Sequence, residues 1–209
     1  MTATERLKEP LSAAIRDILE PVILPIGFGK FAKRTYLRFR TGDIVQTIDF
    51  GKPRSSWYTA YNTIPLFQPL LPESNGLYYA PPGARLKRVI FAKNHEAADR
   101  EMTDIVAELR QGPLHWLEST SSTEGLLLAF DDPRNGGIPH LRAYYKALCL
   151  AQLERIEEAL ALLPPHFECF NESMRKNIRE LHSTLESGAH RPKLDEWSRA
   201  YRKRLGLTD

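Results

Sequence analysis

Residues 34–50 read RTYLRFRTGDIVQTIDF, and this stretch decides the fold class. In its first half, Leu37 and Phe39 alternate with the polar or basic side chains of Arg34, Tyr36, Arg38 and Arg40. Successive side chains of a strand point to opposite faces, so the alternation predicts a strand with one apolar face and one basic, aromatic face. A turn at 41–43 and a second alternating run over 44–50 complete the pattern. We therefore predict an antiparallel hairpin over residues 34–50.

The flanking sequence extends this hairpin into a larger sheet. Residues 5–24 carry apolar side chains at the three-and-four spacing of an amphipathic helix. Residues 56–64 are rich in aromatic and β-branched side chains and predict a third strand, and residues 85–91 predict a shorter fourth strand. Because consecutive strands usually pair, the simplest assembly is an antiparallel β-meander of about four strands.

The remainder of the chain is predicted to be helical. Asn94 is expected to cap a helix that runs to about residue 110, and the Ser-x-x-Glu spacing of Ser121 and Glu124 predicts another helix start. Residues 139–163 form either one long helix or a tight helical hairpin. Two amphipathic helices follow, and the basic residues of the last one are interpreted as a solvated face: Arg199, Arg202, Lys203 and Arg204.

These elements predict an α+β fold with an N-terminal helix, an antiparallel β-meander of about four strands and a helical C-terminal half. Residues 1–118 are assigned to an α+β domain and residues 119–209 to a helical region. The sequence leaves open whether the helical region packs with the first part as one domain.

The composition is that of an ordinary globular chain. With 209 residues, 42% hydrophobic and 26% charged, it excludes collagen-like, low-complexity and wholly disordered proteins. The net charge of +3 is too small to imply nucleic-acid binding by itself. Charged residues interrupt the first 25 positions, and no apolar run is long enough to span a membrane, so we expect a cytoplasmic protein with no membrane contact. Cys149 and Cys169 are expected to be buried thiols.

The order of motifs in the first half is similar to that of a known family. It runs from an amphipathic helix through Pro25-Ile-Gly-Phe28 and Lys33-Arg-Thr-Tyr-Leu-Arg38 to Gly42-Asp-Ile-Val-Gln-Thr-Ile-Asp-Phe50. This order resembles the bacterial domain-of-unknown-function family numbered 4304. The resemblance covers roughly half of the chain and implies an α+β fold and a cytoplasmic bacterial protein. It implies no catalytic residues.

No local motif indicates a particular chemistry. His95-Glu-Ala-Ala-Asp99 has the spacing of a zincin motif with Asp in place of the second His. Acidic residues favour helix starts, so we interpret this segment as a charged first helical turn and expect no metal and no cofactor. A hydrolase with a dispersed site is one alternative, and it requires Asp43, Asp49 or His95 to converge in a pocket.

Two surfaces are candidates for binding. On the basic strand face, Arg34, Arg38 and Arg40 flank Tyr36, an arrangement that suits base stacking and phosphate contact or an acidic protein; the alternative is that these cations keep an exposed strand hydrated. The loop at 72–83 presents Tyr78 and Tyr79, which either anchor a partner or cover the sheet. The favoured interpretation is a non-catalytic binding or protein-interaction domain with an unidentified protein partner, and the alternative is a nucleic-acid-binding module.

Overall fold

The structure is a computed structural model. It describes residues 10–41, 43–51, 57–69, 83–90, 94–132, 139–163 and 172–207. Two of the sequence-based hypotheses lie outside the described residues, namely the Tyr78 and Tyr79 loop and the state of Cys169. Cys149 is a buried free thiol, as predicted.

The first helix, α1, is built from three consecutive segments: α-helical Pro10–Ala14, π-helical Ile15–Leu19 and α-helical Glu20–Ile23. Its apolar stripe is buried, as the spacing predicts. A 3-10 turn at Leu24–Ile26 follows, and Gly27 ends it with φ of 92°. Glycine has no Cβ, so it adopts this left-handed conformation without strain and lets the chain reverse into the sheet.

The sheet contains five strands in the order β1-β2-β3-β4-β5. They are β1 Gly29–Ala32, β2 Thr35–Arg40, β3 Ile44–Gly51, β4 Trp57–Pro65 and β5 Gly83–Ile90. The last four strands are those predicted, and the α+β meander is confirmed. The short β1 pairs antiparallel with β2 through a register shift between Lys30 and Ala32. It was not predicted, because its four residues carry no alternating apolar pattern.

Seven further helices follow the sheet among the described residues. They are α2 His95–Gln111, α3 Pro113–Ser119, α4 Thr123–Asp131, α5 Pro139–Gln152, α6 Ile156–Leu162, α7 Glu172–Glu186 and α8 His190–Arg204. None of these described helices combines the length and the apolar character that crossing a membrane requires.

Helix boundaries follow local signals, with one correction. The Asn94 side chain accepts a hydrogen bond from the backbone N–H of Ala97 at 2.8 Å and caps α2, as predicted. The capping residue of α4 is Ser122, not Ser121, because the Ser122 hydroxyl accepts from the backbone N–H of Gly125 at 3.1 Å. The region from 139 to 163 is a hairpin of α5 and α6, and Glu154 lies in its turn with φ of 60°.

The chain packs as two compact units. The first comprises Met1–Phe39, Gln46–Asn62 and Gly83–Ser119; the second comprises Arg40–Val45, Thr63–Pro82 and Thr120–Asp209. The core of the first unit is formed by α1, α2 and residues of the sheet, and that of the second is formed mainly by α4 to α8. The second unit thus includes two sheet segments that the predicted division at residue 118 assigns to the α+β domain.

Candidate binding surfaces

The predicted basic face of β2 is not exposed. Tyr36 is 0% and Arg38 is 4% exposed, whereas Phe39, predicted to be buried, is 40% exposed. Leu37, also predicted to be buried, is 5% exposed, so both faces of the strand are covered here and the predicted exposed basic, aromatic face is wrong for Tyr36 and Arg38. Long polar side chains can be buried when their polar ends find partners, and both residues satisfy that condition within the first unit.

Tyr36 is held by a carboxylate of α1. Its hydroxyl donates a hydrogen bond to Glu20 Oε1 at 2.5 Å, and the Lys30 ammonium donates to the same oxygen at 3.2 Å. Burial, reinforced by the Glu20 carboxylate, raises the pKa of Tyr36 well above its usual value. Tyr36 is thus a neutral donor that fastens the sheet to α1.

Arg38 is the centre of a buried polar network. Its Nε and Nη2 atoms donate to Gln46 Oε1 at 2.9 and 2.6 Å, and Nη1 donates to the carbonyl of Ile26 at 3.1 Å. Its guanidinium carbon lies 4.8 Å from the centre of the Phe28 ring, and Nη2 forms an ion pair with Glu118 at 3.1 Å. The guanidinium therefore holds β2, β3 and the turn before β1 together.

Arg34 precedes the strand, Arg40 is its last residue, and both are half-buried. Arg34 belongs to the first unit, and its backbone carbonyl accepts from the N–H of Phe50 at 3.0 Å; Arg40 belongs to the second unit. A stacking platform for bases needs an exposed ring, and Tyr36 does not provide one. The nucleic-acid hypothesis thereby loses the aromatic residue on which it rested.

Two of the three residues named for a dispersed hydrolase site, Asp49 and Asp43, have structural partners. Asp49 accepts a hydrogen bond from the Thr35 hydroxyl at 2.7 Å, and burial raises the pKa of Asp49. Asp43 pairs with Arg202, and His95 is the first residue of α2. Within the described ranges, no group of three or more His, Cys, Asp or Glu side chains is placed to hold a metal ion.

An exposed apolar surface lies at the β1 end of the sheet. All four residues of β1 are exposed, and the other side of this edge strand has no neighbouring strand in the described sheet. Five large apolar side chains are exposed among the described residues, and four of them lie between residues 24 and 39. We call these four residues the apolar edge: Leu24, Ile26, Phe31 and Phe39.

A polar cleft lies in the second unit. It has a volume of about 400 Å³ and is lined by Asp43, Asp195, Ser198, Arg199 and Arg202. Arg202 Nε donates to Asp43 Oδ1 at 2.9 Å, and Nη2 donates to the same oxygen. The interpretation of the C-terminal basic residues as a merely solvated helix face is therefore wrong for Arg202. The sequence feature that could have indicated this cleft is the three- and four-residue spacing of its polar residues on α8.

Neither surface is explained by similarity to a known protein. Comparison of the chain with protein-family models, with curated proteins and with solved structures gave no match. The resemblance of the first half to the domain-of-unknown-function family therefore stays a prediction.

Proposed function

We propose that the protein is a non-catalytic interaction domain that binds an extended, acidic segment of a partner chain along β1. The observation that carries the proposal is the apolar edge. Single exposed apolar side chains are common on protein surfaces, but a concentration of them marks interaction sites. Here they lie on or beside an edge strand, in one continuous stretch of the first unit.

An edge strand can take up a further strand through its backbone. Its outward N–H and C=O groups are ready to pair with an extended segment, and alternate side chains of that segment then reach pockets or apolar surface. The register shift between Lys30 and Ala32 limits regular pairing to a short stretch. Affinity must therefore come from side-chain contacts with Phe31 and its apolar neighbours as well as from the main chain.

The positive charge around β1 favours an acidic partner over a basic one. Residues 24–39 contain four basic side chains and no acidic one. Lys30 and Lys33 are exposed at the edge and Lys30 pairs with Glu20, whereas Arg34 is half-buried and Arg38 is buried in its ion pair with Glu118. A second copy of β1 would bring like charges together across the new strand pair, which is destabilising. An acidic segment would instead complement the positive field of this edge and speed the encounter. The partner is therefore an acidic, extended segment of another protein.

Peptide binding to the full chain tests the proposal. The probe is a fluorescent peptide of about eight residues that alternates Val and Glu, and its counterpart alternates Val and Lys. We expect the acidic peptide to bind, to lose affinity as salt is added, and to protect the backbone amides of β1 from hydrogen exchange. Equal binding of both peptides, or binding without protection of β1, would overturn the proposal.

Two matched variants locate the binding surface. Phe31→Glu places a carboxylate on the apolar edge and should weaken binding of the acidic peptide by about tenfold or more. Leu128→Glu makes the same kind of change at the most exposed large apolar side chain among the described residues, which is 70% exposed on α4 in the second unit. It should leave binding unchanged. If both variants weaken binding equally, the peptide is adhering to exposed apolar surface in general.

A further inference from the structure

The cleft in the second unit has the features of a small-molecule site. On α8, Asp195 lies three and four positions before Ser198 and Arg199, and Arg202 lies four and three positions after them, so the four residues share one face of the helix. Asp43, in the turn between β2 and β3, completes the lining. Pockets that hold small ligands range from about 300 to about 1,000 Å³, and this cleft falls within that range.

Ser198 supplies the observation that indicates a ligand. The residue is 3% exposed, and its hydroxyl oxygen is buried without a hydrogen-bond partner among the described residues. Leaving a buried hydroxyl unpaired costs free energy, and most buried polar groups in proteins are paired. A ligand in the cleft that accepts a hydrogen bond would remove this cost.

The two arginines of the cleft are held differently. Arg202 is fixed by its two hydrogen bonds to Asp43 Oδ1 and forms part of the wall. Arg199 donates from Nε to the backbone carbonyl of Asp195 at 3.3 Å. This bond uses one edge of the guanidinium, and the remaining N–H groups of an exposed Arg199 can bind an oxyanion.

The charges of the cleft cancel. Arg199 and Arg202 are offset by Asp43 and Asp195, so the lining has no net charge. A purely anionic ligand would meet two carboxylates, and a purely cationic one would meet two guanidinium groups. Asp43 and Arg202 already pair with each other, and a ligand with both charges gives Arg199 and Asp195 an opposite partner each.

We propose that this cleft binds a small zwitterion, a free α-amino acid that carries one carboxylate and one ammonium group. The carboxylate binds Arg199 and accepts the hydrogen bond of Ser198, while the ammonium group binds the carboxylate of Asp195. The pair of Asp43 and Arg202 forms the opposite wall. This site belongs to the second unit and does not depend on the proposed peptide surface of the first unit.

Calorimetric titration of the full chain with each standard L-amino acid tests the proposal. We expect at least one of them to bind, and its N-acetyl and carboxamide derivatives to bind about tenfold more weakly or worse, because each lacks one charge. Absence of binding by every amino acid would overturn the proposal. Equal binding of the N-acetyl derivative would also overturn it, since the site would then recognise a simple anion.

Ser198→Ala separates a binding role from a structural one. The hydroxyl has no partner in the described structure, so its removal should not lower the unfolding midpoint, whereas the affinity for the amino acid should fall by about tenfold. Arg204→Gln is the control, because Arg204 is an exposed arginine of the same helix that does not line the cleft. Unchanged affinity in Ser198→Ala, or equal loss in Arg204→Gln, would contradict the assignment.

Discussion

Arg38 donates two hydrogen bonds from its guanidinium to the side-chain oxygen of Gln46 in the interior of the first unit. The Gln46 amide in turn donates to the backbone carbonyl of Leu117, next to the residue that forms an ion pair with Arg38. Two adjacent strands and the end of α3 are thereby joined through a single glutamine. Such a network is stabilising only while every member keeps its partners.

We expect Arg38→Met to destabilise the protein strongly. The substitution keeps much of the side-chain volume but removes the two hydrogen bonds that Gln46 Oε1 accepts from Arg38, and removing one partner of a buried polar group typically costs about 1–3 kcal/mol. Urea unfolding measures the change. Arg16→Met is the control, because Arg16 forms an exposed ion pair with its neighbour Asp17 and should lose less than about 1 kcal/mol. Similar losses in both variants would contradict a structural role for the network.

Gly51 is predicted to accept a side chain only if the ring of Tyr58 moves away. A Cβ atom at this position would lie 2.2 Å from Cζ of Tyr58, so Gly51→Ala forces the ring to move. Overpacking of this kind typically costs about 1–3 kcal/mol in the free energy of unfolding. Gly29→Ala is the matched strand control, since its Cβ would lie no closer than 4.0 Å to the carbonyl oxygen of Leu37. Adding Tyr58→Val to Gly51→Ala should restore part of the lost stability, and failure to do so would exclude the ring as the cause.

The Glu154 carboxylate is predicted to stabilise the second unit in a pH-dependent way. The hydrogen bond with His190 at 2.8 Å, aided by the ion pair with Arg191, lowers the pKa of Glu154 below its ordinary value of 4.5. A group whose pKa is lower in the folded state stabilises that state above its unfolded pKa, and this contribution is lost as the pH falls through the folded pKa. The stability difference between wild type and Glu154→Gln should therefore shrink from about pH 6 to about pH 3. A difference that is constant across this range would contradict the prediction.

Asp49 should show the opposite pH dependence. Burial raises the pKa of Asp49, so its ionised form costs stability above the folded pKa, and this cost disappears as the pH falls. Asp49→Asn keeps an oxygen that can accept the hydrogen bond from Thr35 and removes the charge. We expect this variant to be at least as stable as wild type at neutral pH and to lose that advantage in acid. Urea titrations at several pH values measure the difference, and strong destabilisation at neutral pH would show that the charge itself is needed.

The strands and helices of this protein could be predicted because their signals are local. Alternation over residues 34–50 and the cap at Asn94 depend on neighbours within a few positions, and both predictions agree with the structure. The short strand β1 has no such pattern, since Gly29 and Ala32 carry almost no side chain. It forms because β2 offers it a pairing edge.

The burial of the polar side chains of β2 and the existence of the polar cleft could not be predicted, because both depend on residues that are distant in the sequence. The burial of Tyr36 depends on its hydrogen bond to Glu20, which lies 16 positions earlier in the chain. The burial of Arg38 depends on its hydrogen bonds to Gln46, which lies eight positions later. Asp43 and Arg202 are separated by 159 positions. From the sequence, these side chains are assigned to the surface because they are polar. Which of them find hydrogen-bond or ion-pair partners in the interior depends on how the chain folds.

Asp43 contributes to the structure through its backbone conformation, its carbonyl group and its carboxylate. Its backbone is in the left-handed region with φ of 57°, its carbonyl accepts from the N–H of Leu66 at 2.7 Å, and its carboxylate pairs with Arg202. Glycine would suit the backbone but lose the ion pair, and glutamate would keep the charge but strain the turn. Asparagine would keep the turn and an acceptor without the charge. The range of acceptable residues at this position is therefore far narrower than at an ordinary hairpin turn, and a saturation library should enrich aspartate there whenever both the fold and the cleft are selected.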